Sequence, residues 1–287
     1  MIRQLIAYMN KDVDYLTSSL TELNKLLVSL TKHLHEEEIE QEFWKQHFEI
    51  LLAKYSFASF SLIKLLDGTK TKDLDDNEFK FYDIPSIRIL IRAIIENYLT
   101  INYLFFSPKD NDEGEFRFYL YQMSGLASRQ KFSVSEQEHI DQKNEEKQEI
   151  DKLEVLIQNN NYFKSLPPKD QKEILGRKSA REFGWEKMIE NSDLVSDTFV
   201  QMWKLFSNTA HSELIGAIQF RDYIFKPEFV NNAICVEIFL AIQLTSSLIS
   251  NFEFHYPTTI KIFDKLSNEF REDITVWTKL AREKNGS

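Results

Sequence analysis

With 287 residues, 43% apolar and 28% charged, the chain can hold one large domain or two smaller ones and has the composition of a folded globular protein. Its 23 Phe exclude a disordered chain, and its net charge of −10 excludes a protein that coats nucleic acid non-specifically, while leaving room for a small basic cleft. The one cysteine, Cys235, excludes an internal disulfide and a cysteine-based zinc site, and its apolar neighbours make it a small core residue.

Seven Gly and six Pro among abundant Leu, Ile, Phe, Lys and Glu predict an all-α fold, a multi-helix bundle. Neither breaker occurs before Gly68. Met9, Val13, Leu16, Leu20, Leu23, Leu27, Leu30 and Leu34 alternate spacings of four and three, a heptad seam that demands a partner helix. A second run starts near Glu36, Glu37 and Glu38, whose charge suits a helix N-terminus, and continues through Phe43, Trp44, Phe48, Leu51, Leu52, Tyr55 and Phe60 to Leu66. With a turn near His33 to His35, residues 1–66 form a long N-terminal helical hairpin; one unbroken helix of about 95 Å is the alternative. His33 and His35 read as solvated turn residues rather than as metal ligands.

Residues 67–83 are polar and acidic and read as a loop. Asp83 is a candidate N-cap, with Pro85 in the first turn of a helix over 84–106 that Ser107 and Pro108 end. Lys109 to Gly114 reads as a turn and Glu115 to Lys131 as the next helix. The charged stretch Ser133 to Asn159, with a sparse apolar face of Ile140, Ile150, Leu153 and Leu156, reads as a solvated outer helix or arm. His139 has no second histidine three or four residues away, so no metal is expected there. Short helices follow at 168–175 and 185–191, with Arg177, Lys178 and Arg181 as an exposed basic loop. Longer helices are expected at 193–212, 228–254 and 258–283, broken at Gly216, Pro227 and Pro257. Residues 84–283 thus form the helical bundle core, continuous with the hairpin.

Two apolar stretches, 84–106 and 233–249, have the character of membrane spans but carry Arg88, Arg92, Glu96 and Glu237, and read as buried bundle helices. The N-terminus turns polar by Asn10, Lys11 and Asp12, so no signal peptide is expected. A cytoplasmic protein without membrane contact is the expectation.

Arg88, Arg92 and Glu96 fall at i, i+4 and i+8 and share one face of an otherwise apolar helix. Buried charge is costly unless paired. These residues therefore form either an internal ion pair that fixes helix register or a polar pocket that holds substrate. Lys204 and His211 lie seven positions, two helical turns, apart, with Ser207 and Asn208 between them. An imidazole near a helix end caps carbonyls or moves protons near neutral pH.

The helix with Arg92-x3-Glu96, followed by Trp203-Lys204-x2-Ser207-x3-His211, resembles a group of uncharacterised bacterial all-helical proteins, and its basic-x6-His element is similar to the HEPN superfamily of helical nucleases and nucleotide-binding domains. The resemblance covers mainly residues 84–106 and 195–215. Lys204 stands where that motif has Arg, and a lysine is a point charge that cannot grip phosphate bidentately. Leu205 stands where a polar neighbour is common. The resemblance implies a metal-independent endoribonuclease, without cofactor, in bacterial defence or toxin–antitoxin function. His211, Lys204, Arg92 and Glu96 would be its catalytic residues, with Arg88, Ser207 and Asn208 binding substrate. It also implies a homodimer, for which the heptad seam is a separate reason. The rival expectation is a non-enzymatic helical interaction or regulatory protein that binds a helical partner.

Overall fold

The computed structural model describes residue 10 and residues 12–36, 42–211, 213–226 and 228–282. Met9, Glu37, Glu38, Ser212, Pro227 and the first residues of the chain, on which several expectations fall, lie outside the described residues. The all-α expectation holds: thirteen α-helices and one two-stranded sheet are seen among the described residues.

α1 (Val13–Glu36) and α2 (Phe48–Leu66) form the expected hairpin. Asn24 Nδ2 donates to the Ser56 carbonyl at 3.3 Å and His35 lies 3.1 Å from Glu49, so the two helices run antiparallel. Leu16, Leu20, Leu23, Leu27, Leu30 and Leu34 are all buried. Their seam packs on α2 and also on α11 (Glu228–His255), so its partner lies within the chain. The seam therefore gives no separate reason for a second copy. Tyr55 on α2 meets Thr245 on α11 at 3.0 Å and places a hydrogen bond inside this core.

Residues 67–83 form a hairpin rather than a plain loop: β1 (Thr69–Lys72) pairs antiparallel with β2 (Glu78–Phe81), Thr69 opposite Phe81 and Lys72 opposite Glu78. Asp73 Oδ1 closes its turn by accepting from the backbone N–H groups of Asp75 and Asn77. Gly68 (φ 71°) makes the turn from α2. Both strands are exposed, so burial left no apolar alternation to read.

α3 (Ile84–Ile101) starts as expected, with the Asp83 carboxylate accepting from the Ser86 N–H at 3.1 Å, and continues as a π turn over Asn102–Phe106. α9 (Ser196–Ala210) and α10 (Leu214–Phe225) follow later in the chain and pack on α3. Gly216 does not break the chain. It sits inside α10 where a Cβ would come within 3.1 Å of Thr209 Cα, so it marks a close approach of α9 and α10. A short α12 (Ile260–Phe263) precedes α13 (Asn268–Arg282), which packs on α11.

The chain folds as two compact units, and the division between them does not fall at residues 67–83. One takes its described residues from Met1–Glu40, Phe48–Ile101 and Ile189–Ser287, the other from Gln41–His47 and Asn102–Met188. The second unit holds α4 (Asn111–Arg129), α5 (Gln137–Asn159), α6 (Asn161–Ser165), α7 (Pro168–Arg177) and most of α8 (Trp185–Asn191). Gly114 lies in α4, not in a turn, and the Trp44 ring packs against its bare Cα. α5 is no solvated arm. Ile150, Leu153 and Ile157 join Phe116, Leu120, Met123 and Phe163 in this unit's core, with Ile157 rather than Leu156 continuing the buried face.

The two apolar stretches are mostly buried inside the fold, although length and composition alone would let Ile84–Phe106 and Phe229–His255 cross a membrane.

Candidate functional site

α3 presents its three charges in one row, as their spacing requires, but the fold divides them between two polar clusters. Arg92 Nε donates to Glu96 Oε1 at 3.0 Å, and Trp203 Nε1 from α9 donates to the same oxygen at 3.1 Å. The Arg92 guanidinium lies 5.8 Å from the Trp203 ring. Both charged side chains stay about a quarter exposed. Less than a turn later in α9, Phe206 faces Arg88, one turn earlier in α3, so the two helices pass in opposite directions.

Arg88 points into a different cluster. Its Nε donates to Glu237 Oε1 on α11 at 2.6 Å, Nη1 to Gln219 Oε1 on α10 at 2.7 Å, and Nη2 to the Tyr223 hydroxyl on α10. Arg88 and Glu237 are both buried. Burial pushes the Glu237 carboxyl up to about 7, against the pull of Arg88. The Tyr223 phenol is raised as well, mainly by burial. Beside this cluster lies a cavity of about 360 Å³, walled in part by Met202, Leu205, Phe229 and Val236.

The α9 residues take a third position. Lys204 and Asn208 are exposed, and so is His211, which caps the C-terminus of α9 with its backbone N–H on the Ser207 carbonyl at 3.1 Å. Ser207 is half-buried, and its hydroxyl donates to the Trp203 carbonyl at 2.8 Å. His211 is eight residues beyond Trp203, about 12 Å along the helix. It stands on an open surface and not in a pocket with Arg88, Arg92 and Glu96. The physical reason is that α3's charges find their partners elsewhere: Trp203 for Glu96, and α10 and α11 for Arg88.

Gln219, Tyr223 and Glu237 escaped the sequence reading as site residues. Glu237 carried a signal, a lone carboxylate in the most apolar run of the chain, which weighs against a membrane span and equally asks for a buried cation. Gln219 and Tyr223 carried none, because α10 itself was not foreseen.

The second unit has its own buried charge cluster. Arg117 Nη2 donates to Glu113 Oε1 at 2.5 Å and Nη1 to the Tyr103 carbonyl at 2.6 Å, while the hydroxyls of Tyr103 and Tyr162 donate to the Glu182 carboxylate at 3.0 and 3.3 Å. Burial raises the Glu182 carboxyl. The expected basic loop is engaged throughout: Arg177 pairs with Glu173, Lys178 with Glu154 at 3.3 Å, and Arg181 lies over the Trp185 ring at 3.7 Å.

Set against family models, curated proteins and solved structures, the chain matches none of them.

Proposed function

We propose that the chain is a HEPN-like helical protein that acts on RNA or a nucleotide at the exposed face of α9. The observation that carries this reading is the alignment of Lys204, Asn208 and His211. They are spaced four and three residues apart, so they share one helix face, and all three are exposed. An imidazole, an amide and a cation on one accessible stripe are the groups that a metal-independent cleavage uses. The RNA 2′-hydroxyl attacks the adjacent phosphorus as the P–O5′ bond breaks, leaving a 2′,3′-cyclic phosphate and a 5′-hydroxyl; His211 carries the 2′-hydroxyl proton to the departing 5′-oxygen, and Lys204 stabilises the charge gathering on the non-bridging oxygens. Arg92 and Glu96 serve as positioning residues in this reading, because they hold α9 through Trp203. Ser207 is tied to its own helix backbone and supports the stripe. Arg88, held by Glu237, is drawn away from the substrate role that the motif implied. A homodimer belongs to the same reading: α10, directly after His211, exposes Leu214, Ile215 and Ile218, an apolar face that a second copy would cover.

The test is an RNA-cleavage assay in chelator with wild type, His211→Ala and Lys204→Ala. Cleavage by wild type and its loss by 10²- to 10⁴-fold in His211→Ala, at unchanged melting temperature, is the expected result. Equal cleavage by His211→Ala overturns it, and so does an inert wild type.

A second reading, a non-enzymatic interaction protein in the cytoplasm, is favoured by a specific observation. Val28, Ile50 and Phe57 are exposed and line one groove along the outside of the α1–α2 hairpin, where a partner helix would fit. An inert wild type together with loss of a pulled-down helical partner in Phe57→Glu would establish this reading over the first.

A further inference from the structure

The ribbon between α2 and α3 is bare on both sides. Every residue of β1 and β2 is exposed, although a two-stranded hairpin is marginal in water unless one face is covered. Side chains alternate along a strand, so the register divides the ribbon into two unlike faces. Thr69 opposite Phe81 and Thr71 opposite Phe79 make one; Lys70 opposite Lys80 and Lys72 opposite Glu78 make the other. Phe79 and Phe81 are 49% and 42% exposed, with ring centroids 6.1 Å apart. They serve no core and offer two π faces in a row. On the other face Lys70 and Lys80 stand directly opposite each other, a like-charge pair that is destabilising by itself. Neither forms an ion pair among the described residues, and Lys80 lies 4.8 Å from the Tyr82 ring. Most nearby acids are committed elsewhere. Asp73 closes the turn, Asp76 pairs with Lys72 at 3.6 Å, Glu78 stands opposite Lys72, and Asp83 caps α3. Asp75 lies at the turn, and Asp67 precedes the foot of β1.

A ligand that answers both faces has flat aromatic rings joined by an anion. Two residues of strand advance about 6.8 Å, twice the rise of about 3.4 Å per nucleotide in a stacked strand. Neighbouring bases that lie one on Phe79 and one on Phe81 must be drawn apart, which an unpaired strand allows and a duplex resists. The phosphate joining them passes at the level of Lys80, along the outer edge of β2, where no third strand lies among the described residues. The base edges then reach across the ribbon to the hydroxyls of Thr71 and Thr69, which both donate and accept. We infer that the β1–β2 ribbon is a stacking platform for single-stranded RNA, with two consecutive bases on Phe79 and Phe81 and their linking phosphate drawn by the Lys70–Lys80 pair. That the strand is RNA rests on the reaction proposed at α9, whereas the platform rests on the ribbon alone.

The experiment titrates the full chain, carrying His211→Ala so that no cleavage removes the probe, into a labelled uridine dodecamer at low salt and follows fluorescence anisotropy. A Kd on the order of 10–100 µM is expected. Phe79→Ala and Phe81→Ala should each weaken binding about fivefold or more, while Phe79→Trp, which keeps a π face, should hold or tighten it. Lys80→Ala should lower the slope of log Kd against log salt by about 0.7. An RNA duplex of the same length should bind at least about fivefold more weakly, and a deoxyuridine dodecamer no more tightly than the RNA. No binding at about 300 µM protein overturns the inference, and so does binding that ignores both alanine variants or is as tight for the duplex. Tighter binding of the deoxyuridine strand makes the ligand DNA and overturns the assignment to RNA. Because binding and not cleavage is read, a failed platform leaves the α9 reading standing, and an inert α9 leaves the platform standing.

Discussion

Trp203 Nε1 and Arg92 Nε both donate to a single oxygen, Glu96 Oε1, at 3.1 and 3.0 Å, across 107 residues of sequence in the first case. One half-buried carboxylate therefore satisfies a cation in its own helix and fastens α9 to α3.

Glu96→Ala removes both bonds at once. Because Arg92 and Glu96 stay partly in water, the loss is expected to be about 1–2 kcal/mol in denaturant unfolding, below that of a fully buried pair. Glu96→Gln keeps an acceptor for Trp203 and should cost less. An unchanged midpoint in Glu96→Ala would show that the carboxylate contributes nothing to the α3–α9 contact.

Glu237 gives the protein a stability slope against pH. Its carboxyl titrates near 7 in the folded chain and near 4.5 when exposed, so between those values the folded state holds a proton that the unfolded state has released. Stability contributed by this group is complete below about pH 4.5 and is lost as pH rises through 7. Chemical denaturation at pH 5 and pH 7.5 should show the slope in wild type, and Glu237→Gln should flatten it. A slope that survives the substitution unchanged assigns it to other groups.

Leu20 is fully buried in the α1 seam. Leu20→Asp places an unpaired charge against α2 and α11 and should cost several kcal/mol, a large fraction of the total stability, and so lower the melting temperature read by circular dichroism. A melting curve like that of wild type would mean that the seam opens at no cost.

Gly114 is specified by Trp44. A Cβ there would sit 2.6 Å from the indole ring, a flat group in a buried site with little room to shift. Gly114→Ala should therefore destabilise by about 1–3 kcal/mol despite its better helix propensity. The smaller ring in Trp44→Phe should return part of that loss in a double-mutant cycle.

Local rules served the sequence reading well where one helix decides the outcome. The leucine heptads named their own buried face, Asp83 announced the start of α3, and Trp185 to Asn191 formed a helix where punctuation placed it. Gly216 misled, because a glycine that admits a neighbouring backbone has the same letter as one that ends a helix. The candidate site was legible in half. Spacing put Arg88, Arg92 and Glu96 on one face, and pairing of Arg92 with Glu96 followed from it. That Arg88 would turn to Glu237, 149 residues away, depends on which helices meet, and no window of sequence contains that information. For the same reason His211 and Glu96 could be imagined together although the fold draws each to different neighbours.

The partnership of α1 and α2 with α11 has a consequence for how the protein is made. Tyr55 waits for Thr245 across 190 residues, which at roughly 5–20 residues per second take a ribosome about 10 to 40 s to add. For that time the emerging hairpin holds its leucine seam without the helix that seals it. Such long-range closure is slow by nature, since loop entropy is lost before the contact is gained. A nascent chain in this state exposes apolar surface of the kind that aggregates or is held by chaperones, and a stop codon before α11 would release a product whose leucine stripe has only α2 to cover it.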